Sequence, residues 1–162
     1  MTSFKVRTSE YNTSNLQDLG ASLSQFIISS NNYKIINLTP SQLNSISTTP
    51  ILLIPSPGTG SYNIVNNYVS SLNFLTGATP YTAIASNNII YGSSGDILVG
   101  VNFDNTCIAD NVSNVSCQVS TGITAYNINN ILNTPIYLAG SGFLSGTSSV
   151  KIVIYYTTYT FP

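Results

Sequence analysis

Catalysis and metal binding need groups that carry protons, attack carbon or phosphorus, or donate to a cation, and this 162-residue chain holds few of them. It has no histidine, so neither a Ser-His-Asp nor a Cys-His arrangement can form. The acids are Glu10, Asp18, Asp96, Asp104 and Asp110. Asp96 and Asp104 flank the apolar run 97–103 and could in principle act as a glycosidase pair, but the same positions suit turn residues and strand gatekeepers. Asp104, Asn105, Asp110 and Asn111 offer oxygen ligands for calcium, without the glycine and glutamate spacing of a calcium loop. Cys107 and Cys117 cannot fill a tetrahedral zinc shell by themselves. They either close a hairpin loop by a disulfide in an oxidising medium or stay as two reduced thiols. The reading is a non-enzyme with no catalytic residue, cofactor or metal site.

Two further patterns invite a ligand and have plainer accounts. The run Pro55-Ser56-Pro57-Gly58-Thr59-Gly60 looks like a phosphate loop but lacks the Gly-Lys-Ser/Thr ending, and a tight connection between strands explains it better. Eleven tyrosines and no tryptophan could form a sugar-binding face, yet tyrosine is also a good strand former and a favoured interface residue. Core and interface are the preferred places for them.

The elements that would carry these residues follow from composition and spacing. Charged residues make up 6% of the chain, against about 25% in ordinary domains, and none occurs between Lys34 and Asp96. Hydrophobic residues reach 43%, enough to offset the entropy of ordering, and no apolar run has the roughly 18 to 20 residues of a spanning helix. Asn, Ser and Thr therefore take the place of Lys and Glu on the outside. A surface without self-repulsion tolerates close contact with copies of itself, which favours an assembled protein. Four basic residues give no phosphate-neutralising patch, so direct nucleic-acid binding is not expected, nor is membrane association. No apolar signal-like segment opens the chain, so synthesis and retention in a cytoplasm until lysis are expected.

From residue 33 onward, short β-rich runs alternate with Gly, Pro, Asn and Ser clusters, the pattern of a sandwich or barrel. The expected strands are 33–38, 50–54, 62–75, 82–85, 88–91, 97–103, 116–120, 136–139 and 150–159. One helical turn interrupts them at 39–46, with Thr39 as cap, Pro40 at the first helical position and Gln42 completing a capping box. The fold class is all-β: a two-sheet antiparallel β-sandwich, jelly-roll-like, with an N-terminal arm over 1–32 and the sandwich over 33–162. Within the arm, Leu16, Leu19, Leu23 and Phe26 are spaced as one face of a short amphipathic helix capped by Ser14 or Asn15. In the last strand Val150, Ile152, Ile154 and Tyr156 share one face, and Val153, Tyr155 and Tyr159 share the other with Lys151 and Thr157. A strand apolar on both sides is central under a covered face or lies at a subunit contact, so Val150, Ile152, Ile154 and Tyr156, with Leu16, Leu19, Leu23 and Phe26 of the arm, are the expected assembly interface.

The stretch from Ile36 to the C-terminus resembles a family of small tailed-bacteriophage virion proteins. The residues that carry the resemblance are Asn37-Leu38-Thr39-Pro40-Ser41-Gln42-Leu43-Asn44-Ser45-Ile46, then Thr49-Pro50-Ile51-Leu52-Leu53-Ile54-Pro55-Ser56-Pro57-Gly58-Thr59-Gly60. Thr79-Pro80-Tyr81 and the close Ser149-Val150-Lys151-Ile152-Val153-Ile154-Tyr155-Tyr156 complete the pattern. The segment around Cys107 and Cys117 and the arm before Lys34 depart from it. The resemblance implies a jelly-roll or sandwich protein that assembles as a homotrimer in the virion. Its role would be capsid decoration, minor capsid or tail component, with major capsid or tail proteins as partners and assembly in the host cytoplasm. The alternative is a receptor- or glycan-binding module at a tail tip, using exposed Tyr and Asn.

Overall fold

The structure, a computed structural model, describes residues 28–83, 87–93, 97–103, 107–120 and 127–160. Among them are strands β1 (Ile28–Leu38), β2 (Ile51–Ile54), β3 (Ser61–Asn73), β4 (Thr82–Ala83), β5 (Asn87–Tyr91) and β6 (Ile97–Phe103). The later strands are β7 (Val115–Ser120), β8 (Ile136–Gly140), β9 (Phe143–Leu144) and β10 (Ser149–Thr160). Two short helices, α1 (Pro40–Asn44) and α2 (Ile128–Ile131), sit in the connections.

Antiparallel pairing runs from the outside of the chain inward: β1 with β10, β2 with β8, β3 with β7, and β5 with β6. Successive pairs fall alternately in two four-stranded sheets, ordered β1-β10-β3-β7 and β2-β8-β5-β6. The chain is thus one long antiparallel ribbon rolled so that its pairs stack in two layers, which is a jelly roll. The expected all-β sandwich is what the chain forms. The ribbon's first and last residues meet, with Ile28 opposite Thr160 and Leu38 opposite Val150 at the other end of the pair.

Alternation along the strands decides what lies between the layers. Leu38, Tyr68, Leu72, Val150, Ile152 and Ile154 of the first sheet pack into one cluster with Leu53, Ile89, Tyr91, Phe103, Ile136 and Leu138 of the second. A bulge in β3 shifts that alternation: Tyr155 faces Asn67 while Tyr156 faces Val65, leaving Asn66 as the extra residue. Because of it Val65 and Tyr68, three positions apart, are both buried. Two buried tyrosine hydroxyls are satisfied by main-chain carbonyls: Tyr91 donates to Asn63 O at 2.6 Å and Tyr81 to Ser148 O.

Local sequence explains the connections. Thr39 caps α1 by accepting from the Gln42 N–H at 3.3 Å, while the Gln42 side chain accepts from the Thr39 N–H at 2.9 Å. This is the reciprocal box expected from the sequence, and it turns β1 toward the second sheet. The 55–60 run is a tight β2–β3 connection: Gly58 and Gly60 take φ of 104° and 72°, and the Asn133 Oδ1 accepts from the Gly58 N–H at 3.1 Å. Ser56 Oγ also donates to the Asn133 carbonyl at 2.8 Å.

Two boundaries differ from the sequence reading. β1 starts at Ile28, so residues 28–32, assigned to the arm, belong to the sandwich. Asn31 and Asn32 read as linker residues because they are polar, but each bonds a threonine side chain of β10 and extends the ladder. The second difference is α2 with its N-cap Asn127, and β9, which were not anticipated, whereas β4 falls within the expected strand 82–85. Elements of four and two residues are too short to leave a periodic trace.

Candidate assembly surface

The first sheet turns one face to the core and one outward, and the outward face is built by alternation alone. Cross-strand register places Ile35, Val153, Val69 and Gln118 in one row, and Tyr33, Tyr155, Asn67 and Ser120 in the next. Tyr33 is 66% exposed, Ile35 54% and Tyr155 42%, while Val69 and Val153 are half-buried beside them. The rings of Tyr33 and Tyr155 lie 6.3 Å apart and tilted. Exposed aromatics grouped with β-branched residues on a sheet are the composition of a protein contact rather than of ordinary solvent-facing surface.

Around this apolar patch the sheet is polar and, apart from Lys151, uncharged, and its polar groups largely satisfy one another. Thr157 Oγ1 donates to Asn31 Oδ1 at 2.8 Å and accepts from Asn66 Nδ2 at 3.0 Å. On the core-facing side of the same sheet, Thr158 Oγ1 donates to Asn63 Oδ1 at 2.7 Å and accepts from Asn32 Nδ2 at 3.3 Å. Ser61 and Thr160 share a bond at 2.9 Å, as do Ser71 and Ser116. Amide–hydroxyl pairs of this kind hold strands together without salt bridges, which is how the sheet does without charge. Beyond them Tyr62 stacks on Tyr159 at 5.2 Å and 16°. Burial, and then the neighbouring Tyr159, push the Tyr62 hydroxyl above its ordinary pKa.

The edges of the sheet are β1 and β7. On β1 the residues facing the core side are Asn32, Lys34, Ile36 and Leu38, so an ammonium group sits mid-strand on the inner row. A lysine in that position discourages another strand from extending the sheet. Contacts by faces are left open. At the other edge Cys117 of β7 is bonded to Cys107 with their Cα atoms 5.9 Å apart, so of the two readings of these cysteines the structure has the disulfide. Cys107 is buried against the main chain of β3, and its neighbour Ala109 bridges to Tyr81.

The residues singled out from sequence are placed as follows. Val150, Ile152 and Ile154 are buried, Ile152 and Ile154 completely, between the protein's own sheets. A contact through them would require the sandwich to open, so the face of β10 available to a partner is the opposite one, through Val153 and Tyr155. Tyr156 is half-buried against the core. Alternation had grouped the right residues together but could not say which group was inside. Leu16, Leu19, Leu23 and Phe26 lie outside the described residues, as do Asp96, Asp104 and Asn105. Asp110 occupies a turn at φ 59°, its N–H donating to the Tyr81 carbonyl at 2.7 Å, with its side chain exposed. Tyr33 and Ile35, on the first strand, were not singled out, although their i, i+2 spacing in 33–38 is the signal that would have found them.

On the second sheet Leu52, 44% exposed, the half-buried Tyr137 and the buried Ile90 are successive cross-strand partners, so only Leu52 is well exposed there. No helix among the described residues is long and apolar enough to cross a membrane.

No family model matches the chain, and no curated protein matches it. Among solved structures, one titled "Cyanophage Pam1 capsid asymmetric unit" is similar over 84% of this chain and 86% of that one, with 16% identity and a TM-score of 0.44. A likeness at that level leaves function to be argued from the molecule's own surface.

Proposed function

We propose that the chain is a structural protein of a tailed-bacteriophage virion, a capsid decoration, minor capsid or tail component that works by burying its surface against other virion proteins and copies of itself. The observation that carries this reading is the rolled eight-stranded ribbon whose outer face is almost uncharged and bears the Tyr33, Ile35, Val69, Val153 and Tyr155 patch. Jelly rolls serve in capsids and lectins alike, so fold alone does not choose between them. The patch and the scarcity of charge favour assembly, and the sequence resemblance described above supplies the virion setting and the trimer. Residues 1–27, which include Leu16, Leu19, Leu23 and Phe26, are the proposed attachment to a larger partner.

Multi-angle light scattering tests the assembly. The wild-type chain is expected at about three times 17.3 kDa across a concentration series. Tyr33→Asp combined with Ile35→Asp should release monomers that keep a native β-sheet circular dichroism spectrum. Monomeric wild-type protein at high concentration would overturn the reading. Ile152→Asp is expected to abolish folding instead, because it places a carboxylate in a completely buried site.

A further inference from the structure

We infer that the groove where β1, β10 and β3 run out together binds the acidic sugar residue of a glycan. The groove has a volume of about 430 Å³, within the range that small ligands occupy, and is lined by Asn37, Ser71, Asn73, Ser149 and Lys151 together with Leu72 and Val150. Register explains the convergence: Asn37, Lys151 and Ser71 are successive cross-strand partners, and Ser149 faces Asn73 in the next outward row.

What sets this corner apart is its free bonding capacity. Elsewhere on the first sheet several asparagines, threonines and serines pair across strands, as in Asn31–Thr157–Asn66, Asn32–Thr158–Asn63 and Ser61–Thr160, while the unpaired Asn67 Oδ1 and Ser70 Oγ are buried and out of a ligand's reach. Asn37, Asn73, Ser149 and Lys151 have no such partner among the described residues, and all but the half-buried Ser149 are exposed. Two amides and a hydroxyl present both donors and acceptors, which is what the vicinal hydroxyls of a pyranose require. Lys151 adds one cation in a chain with four basic residues, and no carboxylate faces it among the described residues. A ligand matched to this set carries several hydroxyls and one carboxylate, which is the composition of a uronic-acid residue. A phosphodiester would want more than one cation, and an apolar ligand would leave the amides unpaired. The site does not depend on the assembly proposed above, since it lies within one chain and beyond the apolar patch.

The experiment titrates the intact protein with oligogalacturonate of two or three units, and with the neutral galactose oligomer of equal length. Amide shifts are followed by NMR and affinity by calorimetry. Saturable binding of the acidic oligomer, with shifts centred on Asn37, Ser71, Asn73, Ser149 and Lys151, is expected. Lys151→Met should weaken it about tenfold and raising the salt should do the same, since one charge-assisted contact is removed or screened. Asn37→Ala with Asn73→Ala should weaken it further, and Lys34→Met should leave it unchanged. Equal binding of the neutral oligomer, shifts centred elsewhere, or no shift at millimolar acidic oligomer would each overturn the inference. Light scattering on the same samples reads the assembly separately, so either idea can fail alone.

Discussion

A methyl group added at Gly146 tests the packing of the sandwich where it is tightest. Gly146 is buried in the β9–β10 connection, and a Cβ built there would lie 1.9 Å from Tyr81 Cδ1 and 2.2 Å from Tyr81 Cγ. The ring has nowhere to go. Its hydroxyl is tied to the Ser148 carbonyl, its edge meets Phe143 at a centroid distance of 5.5 Å, and the Gly146 carbonyl is itself held by Asn44 Nδ2 at 3.1 Å. Gly146 is not among the positive-φ glycines, so the obstacle is steric and not a matter of backbone conformation. Overpacking costs about 1–3 kcal/mol, and displacing Tyr81 leaves a buried carbonyl unpaired for about 1–3 kcal/mol more. Gly146→Ala is therefore expected to destabilise by roughly 2–6 kcal/mol. At about 2–4 °C per kcal/mol for a chain of this size, the melting temperature should fall by roughly 4–24 °C. A double-mutant cycle isolates the cause. Tyr81→Ala alone should cost about 3–5 kcal/mol, and adding Gly146→Ala to it should cost little more, because the methyl then enters the space the ring vacated. Calorimetric or denaturant unfolding of the four proteins supplies the numbers. Unchanged stability in Gly146→Ala, or strict additivity in the cycle, would refute the steric argument.

Three further outcomes are expected. Reducing the Cys107–Cys117 bond, or replacing both residues by serine, opens a loop of sequence separation 10 and should cost about 2.7 kcal/mol by chain entropy, seen as a lower urea midpoint with the sheet signal retained. Burial pushes the Tyr81 hydroxyl from 10.0 to about 12, so the folded state resists ionisation that the unfolded chain undergoes freely. Stability that is full below pH 10 should then decline as the pH rises toward 12, and Tyr81→Phe should flatten that decline in alkaline denaturation curves. Thr39→Ala removes the cap of α1 and should cost about 1 kcal/mol by denaturant unfolding, with Thr39→Ser close to wild type.

The sandwich was readable because its strands are short, β-branched and punctuated by turn residues: 97–103 coincides with β6, and 150–159 lies within β10. The Thr39–Gln42 box was readable because capping is a local interaction between residues three apart. The assembly face was less so. Period-two alternation sorts Val150, Ile152 and Ile154 from Val153 and Tyr155, but both sets are apolar, and only the partner sheet determines which is covered. Lys151 beside Val153 was the available hint that this row faces water. The groove was out of reach because Asn37, Asn73 and Lys151 are far apart in sequence and meet only through the β1–β10–β3 register. The disulfide stayed open because two cysteines ten apart fit a bridge or two thiols equally well, until the β6–β7 connection brings them together.

Pairing Ile28 with Thr160 gives the molecule two poles. The chain ends of the sandwich emerge side by side at one, while Asn37 and Lys151 sit nine residues along the same strand pair, about 30 Å away at the usual rise per residue. A subunit tethered through the segment before Ile28 would therefore hold its proposed carbohydrate groove distal to the point of attachment.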